Sequence, residues 1–249
     1  VNGLPIQYYF RVSNIRINIG SYGELIFAYS ENITLENIAA FGIEFYHVQN
    51  GEIFQVNSTS CDFGFNIANS SNISVHLSRT SDIDMWSIMV IYGSLDVIVE
   101  DNYLEGYGLN ILYASSNVLF RNNTLLNSYY GLYCTNITDI LIYNNTVSQS
   151  SVSGYGVYLL DYIKNVTMEN IIISKYYYGL LVASYKNEDF LFINNKIEEC
   201  KYGVYIYESS NVSIRNTLIN GYDIGDYGIF IYNDVKNICL LYTSPSPRD

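Results

Sequence analysis

An aromatic residue followed by glycine returns at near-constant intervals along the chain: Tyr22-Gly23, Phe41-Gly42, Phe63-Gly64, Tyr107-Gly108, Tyr130-Gly131, Tyr155-Gly156, Tyr178-Gly179, Tyr202-Gly203 and Tyr227-Gly228, with Trp86-Ser87 in the one gap. Successive doublets lie 19 to 25 residues apart. A period of that length marks a solenoid, in which each repeat is one turn and neighbouring turns complete each other's core. Positions one and three after the glycine are apolar, as in Ile43 and Phe45, Leu109 and Ile111, or Val204 and Ile206. That period of two is a strand with one face buried.

A second strand follows in each repeat, written as Asn or Asp, apolar, any, apolar: Asn32-Ile33-Thr34-Leu35, Asn72-Ile73-Ser74-Val75, Asn117-Val118-Leu119-Phe120, Asn165-Val166-Thr167-Met168 and Asn211-Val212-Ser213-Ile214, with Asp96, Asp139 and Asp189 leading the others. Five residues on stands another polar residue: Asn37, Asp101, Asn122, Asn144, Asn170, Asn194 and Asn216. Asn accepts left-handed backbone and suits a sharp corner. Stacked in register, these residues are expected to form an amide ladder, with Asn122 and Asn144 turned inward. A third apolar segment follows at Leu125, Val147, Ile197 and Leu218. No segment carries helical spacing for long enough to compete. The pattern predicts an all-β, parallel β-helix of about ten coils. At the usual strand spacing this is a rod about 48 Å long, with the aromatic column running its whole length.

The glycine-led strand and the Asn-apolar-any-apolar-any-Asn-Asn segment, as in Gly108-Leu109 through Asn122-Asn123-Thr124-Leu125, resemble right-handed parallel β-helix proteins of the pectin-lyase-like superfamily, and within it the NosD-like group. The resemblance implies a single-stranded right-handed solenoid over residues 1–238. Its members span polysaccharide lyases and hydrolases, epimerases, tail fibres, adhesins and a copper-enzyme accessory protein, so fold alone does not select an activity.

Residues 239–249 break the pattern in mid-coil and resemble the translation of a sequencing adapter, which predicts a non-native tail on a repeat domain truncated at both ends. Charged residues make up 14% of the chain, against about 25% in ordinary domains, and Tyr fills 27 positions. A net charge of −12 argues against nucleic acid as a partner, and no apolar run is long enough to span a membrane. Cys61 and Cys200 fall six coils apart and cannot pair, while Cys134 takes an inward position. His47 and His76 fall in different columns, so no metal cluster or cofactor is predicted. Asp82-Ile83-Asp84 and Glu198-Glu199 are acidic pairs expected in turns.

The motifs of hydrolysis and elimination, an Asp-Asp pair, Gly-His-Gly or Arg-any-Lys, are missing from this sequence. The nearest constellation is the outward column Glu36, His76, Glu100, Arg121, Tyr143, Glu169, Ile193 and Arg215, in which Glu100 and Arg121 are weak catalytic candidates expected to pair across adjacent coils. A second outward stripe, Tyr133, Tyr158, Tyr205 and Tyr207 with Tyr46 and Tyr232, has the flat, polar-tipped rings that suit sugars and protein partners. Sequons at Asn32, Asn57, Asn72, Asn136, Asn165 and Asn211 are glycosylation candidates. The sequence thus predicts an extracellular or cell-surface rod, structural or adhesive, whose partners are polysaccharide or other surface proteins. The alternatives are a polysaccharide-degrading enzyme of this fold and a periplasmic NosD-like accessory protein.

Overall fold

The structure, a computed structural model, describes residues 3–106, 108–112, 115–183, 187–221 and 227–241. Among them the regular elements are all strands. The glycine-led strands Tyr130–Thr135, Tyr155–Leu160, Tyr178–Ala183, Tyr202–Tyr207 and Tyr227–Tyr232 pair in parallel, each aromatic residue facing the next. The Asn-led strands Ser116–Arg121, Thr138–Tyr143, Lys164–Glu169, Asn187–Ile193, Ser209–Arg215 and Lys236–Leu241 form a second parallel ladder. Short strands such as Thr124–Leu126, Thr146–Ser148 and Ile172–Ser174 form a third. Each turn of the chain therefore contributes one rung to each of three ladders, in a solenoid of about ten turns. Nearer the start the ladder runs straight through corners, so that Ser13–Ala28 and Glu31–Tyr46 are single strands of 16 residues.

The interior is filled by the alternating positions read from the sequence. Ile43, Phe45, Phe65, Ile67, Val118, Phe120, Val157 and Leu159 are at most 1% exposed. The repeat glycine is there for close approach. A Cβ at Gly179 would stand 2.5 Å from the Ile197 side chain and 2.7 Å from the carbonyl oxygen of Gly203 one coil on, while its φ needs no glycine. Gly51, which replaces the first apolar residue of its Asn-led strand, leaves space that the Phe45 ring and Ile73 use.

Asn37, Asp101, Asn122, Asn144, Asn170, Asn194 and Asn216 all have φ between 48° and 55°, the left-handed corner expected of them. The inward ladder, however, is carried by their neighbours. Asn122 and Asn144 are exposed, whereas Asn102, Asn123 and Asn145 are buried and donate their amides to the carbonyls of Val75, Val99 and Phe120 respectively, inside the coil. Asn102 Nδ2 also donates to Asn123 Oδ1, and Asn123 Nδ2 to Asn145 Oδ1, both at 3.0 Å. The left-handed residue turns its side chain out, and the next residue, back in extended backbone, points in.

A second correction concerns the first doublet. Glu24, not Gly23, pairs with Gly42, because Leu25 and Phe27 must lie over Ile43 and Phe45 to stay buried. Core alternation overrides the doublet there, and Tyr22-Gly23 stands one residue out of column. The Tyr107 ring lies outside the described residues, as do Val1, Asn2 and 242–249. The last strand, Lys236–Leu241, carries the ladder three residues past Ile238, with Cys239 and Leu240 paired to Ser213 and Ile214.

Candidate functional site

Three features mark the outer faces of the coil. The first is the aromatic column. Tyr130, Tyr155, Tyr178, Tyr202 and Tyr227 stack with ring centroids 5.0–5.3 Å apart and planes within 21° of parallel. Trp86 continues toward Tyr130 at 5.9 Å. Beside it runs the second outward position: Tyr133, Tyr158, Leu181, Tyr205 and Phe230 in register. Tyr158 stacks on Tyr155 at 4.9 Å and Phe230 on Tyr205 at 5.0 Å, so the two columns form one continuous surface. Only the second column is interrupted, at Leu181, which is 7% exposed. Tyr207 stacks on Tyr232 at 5.8 Å two positions farther along, at the edge of this surface, and Tyr46 lies at the opposite end of the coil. Burial holds the phenols of Tyr155, Tyr178 and Tyr205 above their ordinary range and that of Tyr158 at about 12, so the face is uncharged at neutral pH.

The second feature was hidden by the register of the first doublet. With Glu24 opposite Gly42, its carboxyl turns outward on the glycine-led sheet, beside that of Glu44 on the next coil. Burial and the neighbouring charge of Glu44 raise the Glu24 pKa. The Tyr46 hydroxyl also reaches Glu44 and receives a hydrogen bond from Asn66 Nδ2 at 3.1 Å. Aligning Gly23 with Gly42 puts Glu24 at an interior position, where no carboxylate pair would be sought.

The third feature is the column on the Asn-led sheet. His76 pairs with Glu100, Glu100 with Arg121, and Arg121 with Tyr143, as the spacing predicted. Arg121 Nε donates to Glu100 Oε2, and its other arm donates to the Tyr143 hydroxyl at 2.8 Å. His76 bonds Glu52 at 3.0 Å and stacks on Phe54. Glu100 and Arg121 thus pair within the column, while Glu36, His76 and Arg215 bond Arg16, Glu52 and Ser213 outside it. His47 stacks on Tyr29 in a corner column, away from His76. No three His, Cys, Asp or Glu residues converge as metal ligands among the described residues. Asp82-Ile83-Asp84 lies inside the strand Arg79–Ile91 rather than a turn, its Asp82 accepting from Ser60, and Glu198 and Glu199 pair with Lys196 and Lys175. The described cysteines are free thiols, with Cys134 and Cys200 buried.

The sequons divide by environment. The side-chain amides of Asn32, Asn72, Asn165 and Asn211 form an external ladder, donating to Asn14, Asn50, Asp139 and Asp189 on the preceding coils. Asn57 and Asn136 are exposed and have no part in that ladder.

A family model for the right-handed beta helix region matches residues 107–240, more than half of the chain. The chain belongs to the right-handed β-helix family. None of the curated proteins matches this β-helix. Among solved structures, the β-helix is similar to a double mutant of the periplasmic alginate epimerase AlgG, at TM-score 0.64 and 13% identity over 97% of this chain and 67% of that one. It is also similar to the A-module of the Azotobacter vinelandii mannuronan C-5 epimerase AlgE4, at TM-score 0.54 and 15% identity over 98% and 90% of the two chains. The Streptococcus pneumoniae surface adhesin PfbA matches at TM-score 0.48 and 14% identity over 95% and 91%. At these identities the likeness is one of fold. Among the described residues no helix is long and apolar enough to cross a membrane.

Proposed function

We propose that this β-helix binds a carbohydrate polymer along its tyrosine face, as an extracellular or cell-surface rod with a structural or adhesive role. The observation that carries the reading is the continuous run of stacked, uncharged rings from Tyr130 to Phe230. Sugar rings have apolar faces and polar rims, and tyrosine offers the complementary pair. The rigid ladder fixes those rings before binding, so little ordering entropy opposes association. AlgG and AlgE4 are epimerases named for polysaccharide substrates, which fits a carbohydrate partner. This chain's net charge of −12 favours a neutral glycan over an anionic one. An external location is consistent with the exposed sequons Asn57 and Asn136. The test is affinity electrophoresis through gels containing neutral polysaccharides, with wild type, Tyr158→Ala and Tyr205→Ala. Retarded wild type and unretarded variants support the reading, whereas equal mobility of all three in every gel refutes it.

A second reading is favoured by the Glu24–Glu44 pair: an enzyme acting on the glycan so bound. Two neighbouring outward carboxyls, with the Glu24 pKa raised by burial and by the charge of Glu44, offer a candidate acid and base on the same sheet face as the tyrosines. New reducing ends or unsaturated products released by wild type but not by Glu24→Gln or Glu44→Gln would establish it; no turnover of any polysaccharide by wild type would exclude it.

A further inference from the structure

Among the described residues, the corner leading into the aromatic residue is short except at one place. Between Thr124–Leu126 and Tyr130–Thr135, and again between Ile172–Ser174 and Tyr178–Ala183, it consists of residues 127–129 and 175–177. In the coil between them it consists of residues 149–154, twice as long. The extra residues expose Ser150 and Ser151, leave Val152 and Ser153 half-buried, and regain register at Gly154, whose φ of +66° and contact with the Tyr129 carbonyl admit no side chain.

Register makes Tyr129, Gly154 and Tyr177 successive members of one column, as the backbone bonds Tyr155 N to Tyr129 O and Tyr178 N to Gly154 O require. The two exposed tyrosines thus stand two rungs apart, about 9.6 Å, with nothing but backbone on the rung between them. Both rings lie across the stack. Tyr129 meets Tyr130 and Tyr155 at 80° and 74°, and Tyr177 meets Tyr178 at 66°. Together with the longer corner they form a cleft of about 430 Å³, lined by Tyr129, Val152, Ser153, Gly154, Tyr155, Tyr177 and Tyr178.

We infer that this cleft over Gly154 is the principal subsite for the glycan, taking a single uncharged sugar ring against Tyr129 and Tyr177; the inference rests on the tyrosine-face reading above. The volume falls within the range of small-molecule sites. The lining carries hydroxyls on five of its seven residues and no carboxylate, ammonium or guanidinium, which suits a neutral ring and gives a uronate or sulfated sugar no counter-charge. Lys201 stands on the following rung with its ammonium 5.1 Å from the Tyr177 ring, outside the lining. The cleft opens directly onto Tyr155 and Tyr178, so a chain anchored there continues along the stacked column. Two rungs is close to the length of a disaccharide, which places the residues on either side of the anchored ring beside neighbouring tyrosines.

Isothermal titration tests this with laminarin, galactomannan and xyloglucan as neutral probes, alginate as the anionic one, and a short and a long oligosaccharide of whichever neutral polymer binds. Proteins are wild type, Tyr129→Ala, Tyr177→Ala, Tyr177→Phe and Tyr205→Ala, each checked for an unchanged circular dichroism spectrum. Tyr129→Ala and Tyr177→Ala are expected to weaken short and long neutral ligands alike by about tenfold or more, as a lost aromatic anchor does. Tyr177→Phe is expected to retain most affinity, and Tyr205→Ala to weaken the long ligand only. Wild-type affinity in Tyr129→Ala and Tyr177→Ala, with loss in Tyr205→Ala, overturns the cleft and leaves the tyrosine face standing. Binding of alginate alone overturns the neutral assignment, and wild type that binds none of the probes overturns both readings.

Discussion

Asn123→Ala is the most direct test of what holds the coils in register. The Asn123 side chain is 1% exposed. Its amide donates to Val99 O at 2.9 Å, to Arg121 O at 2.8 Å and to Asn145 Oδ1 at 3.0 Å, and its Oδ1 accepts from Asn102 N and Nδ2, both at 3.0 Å. An amide has two hydrogens to give, so the three donations share them. Two donated and two accepted bonds at about 1 kcal/mol each amount to about 4 kcal/mol. Stranding the buried Asn102 N–H adds to this, and a water entering the vacated space subtracts, so the expected loss is about 3–5 kcal/mol. Asn122→Ala, one residue earlier, removes an exposed side chain and costs about 1 kcal/mol through left-handed backbone strain. Urea unfolding followed by far-ultraviolet circular dichroism measures both, and hydrogen exchange at the Asn102 amide reports the broken contact locally. If Asn123→Ala costs under about 1 kcal/mol, or no more than Asn122→Ala, the internal ladder is not what fixes the register.

Three further outcomes follow from the geometry. Tyr155→Ala removes stacking on Tyr130, Tyr178 and Tyr158 and should cost about 2–4 kcal/mol in the same urea experiment, since each such pair contributes about 0.5–1.5 kcal/mol beyond burial. Gly179→Ala forces a methyl against Ile197 and the Gly203 carbonyl and should destabilise by more than about 2 kcal/mol, the carbonyl being unable to move without breaking the ladder. Glu24 has a folded-state pKa above its unfolded one, so its favourable contribution is complete in acid and vanishes as pH rises through the folded value. Glu24→Gln should therefore melt higher than wild type at pH 8 and no higher at pH 3, and a gain confined to acid would contradict that sign.

The legible part of this molecule is its cross-section. Alternation at Ile43 and Phe45 or Val118 and Phe120 reports burial directly, and the Asn that follows each Asn-led strand reports a left-handed corner, because both are local properties of a few consecutive residues. Register between coils is not local. Gly23 resembles the other repeat glycines but stands one residue off, since the position of Leu25 and Phe27 over the next coil decides the pairing. The same shift concealed Glu24. Asn50-Gly51 hid a rung because glycine replaced the apolar residue, and only the space needed by Phe45 explains it. Adjacent Asn122 and Asn123 are alike as letters, yet one backbone angle sends the first to solvent and the second to the interior. The tyrosine stripe was readable by alternation, whereas the cleft was not, because it arises from three extra residues in one corner seen against the corners above and below.

The separation between leading Asn and Asp residues varies from 18 residues, between Asn14 and Asn32, to 26, between Asp139 and Asn165, while the Asn-led strands on either side of that longest gap are both six residues long. The surplus is confined to bends. A lineage carrying such a scaffold can therefore remodel its exterior one loop at a time, lengthening or trimming a bend to reshape what it grips, with the packed centre left as it was.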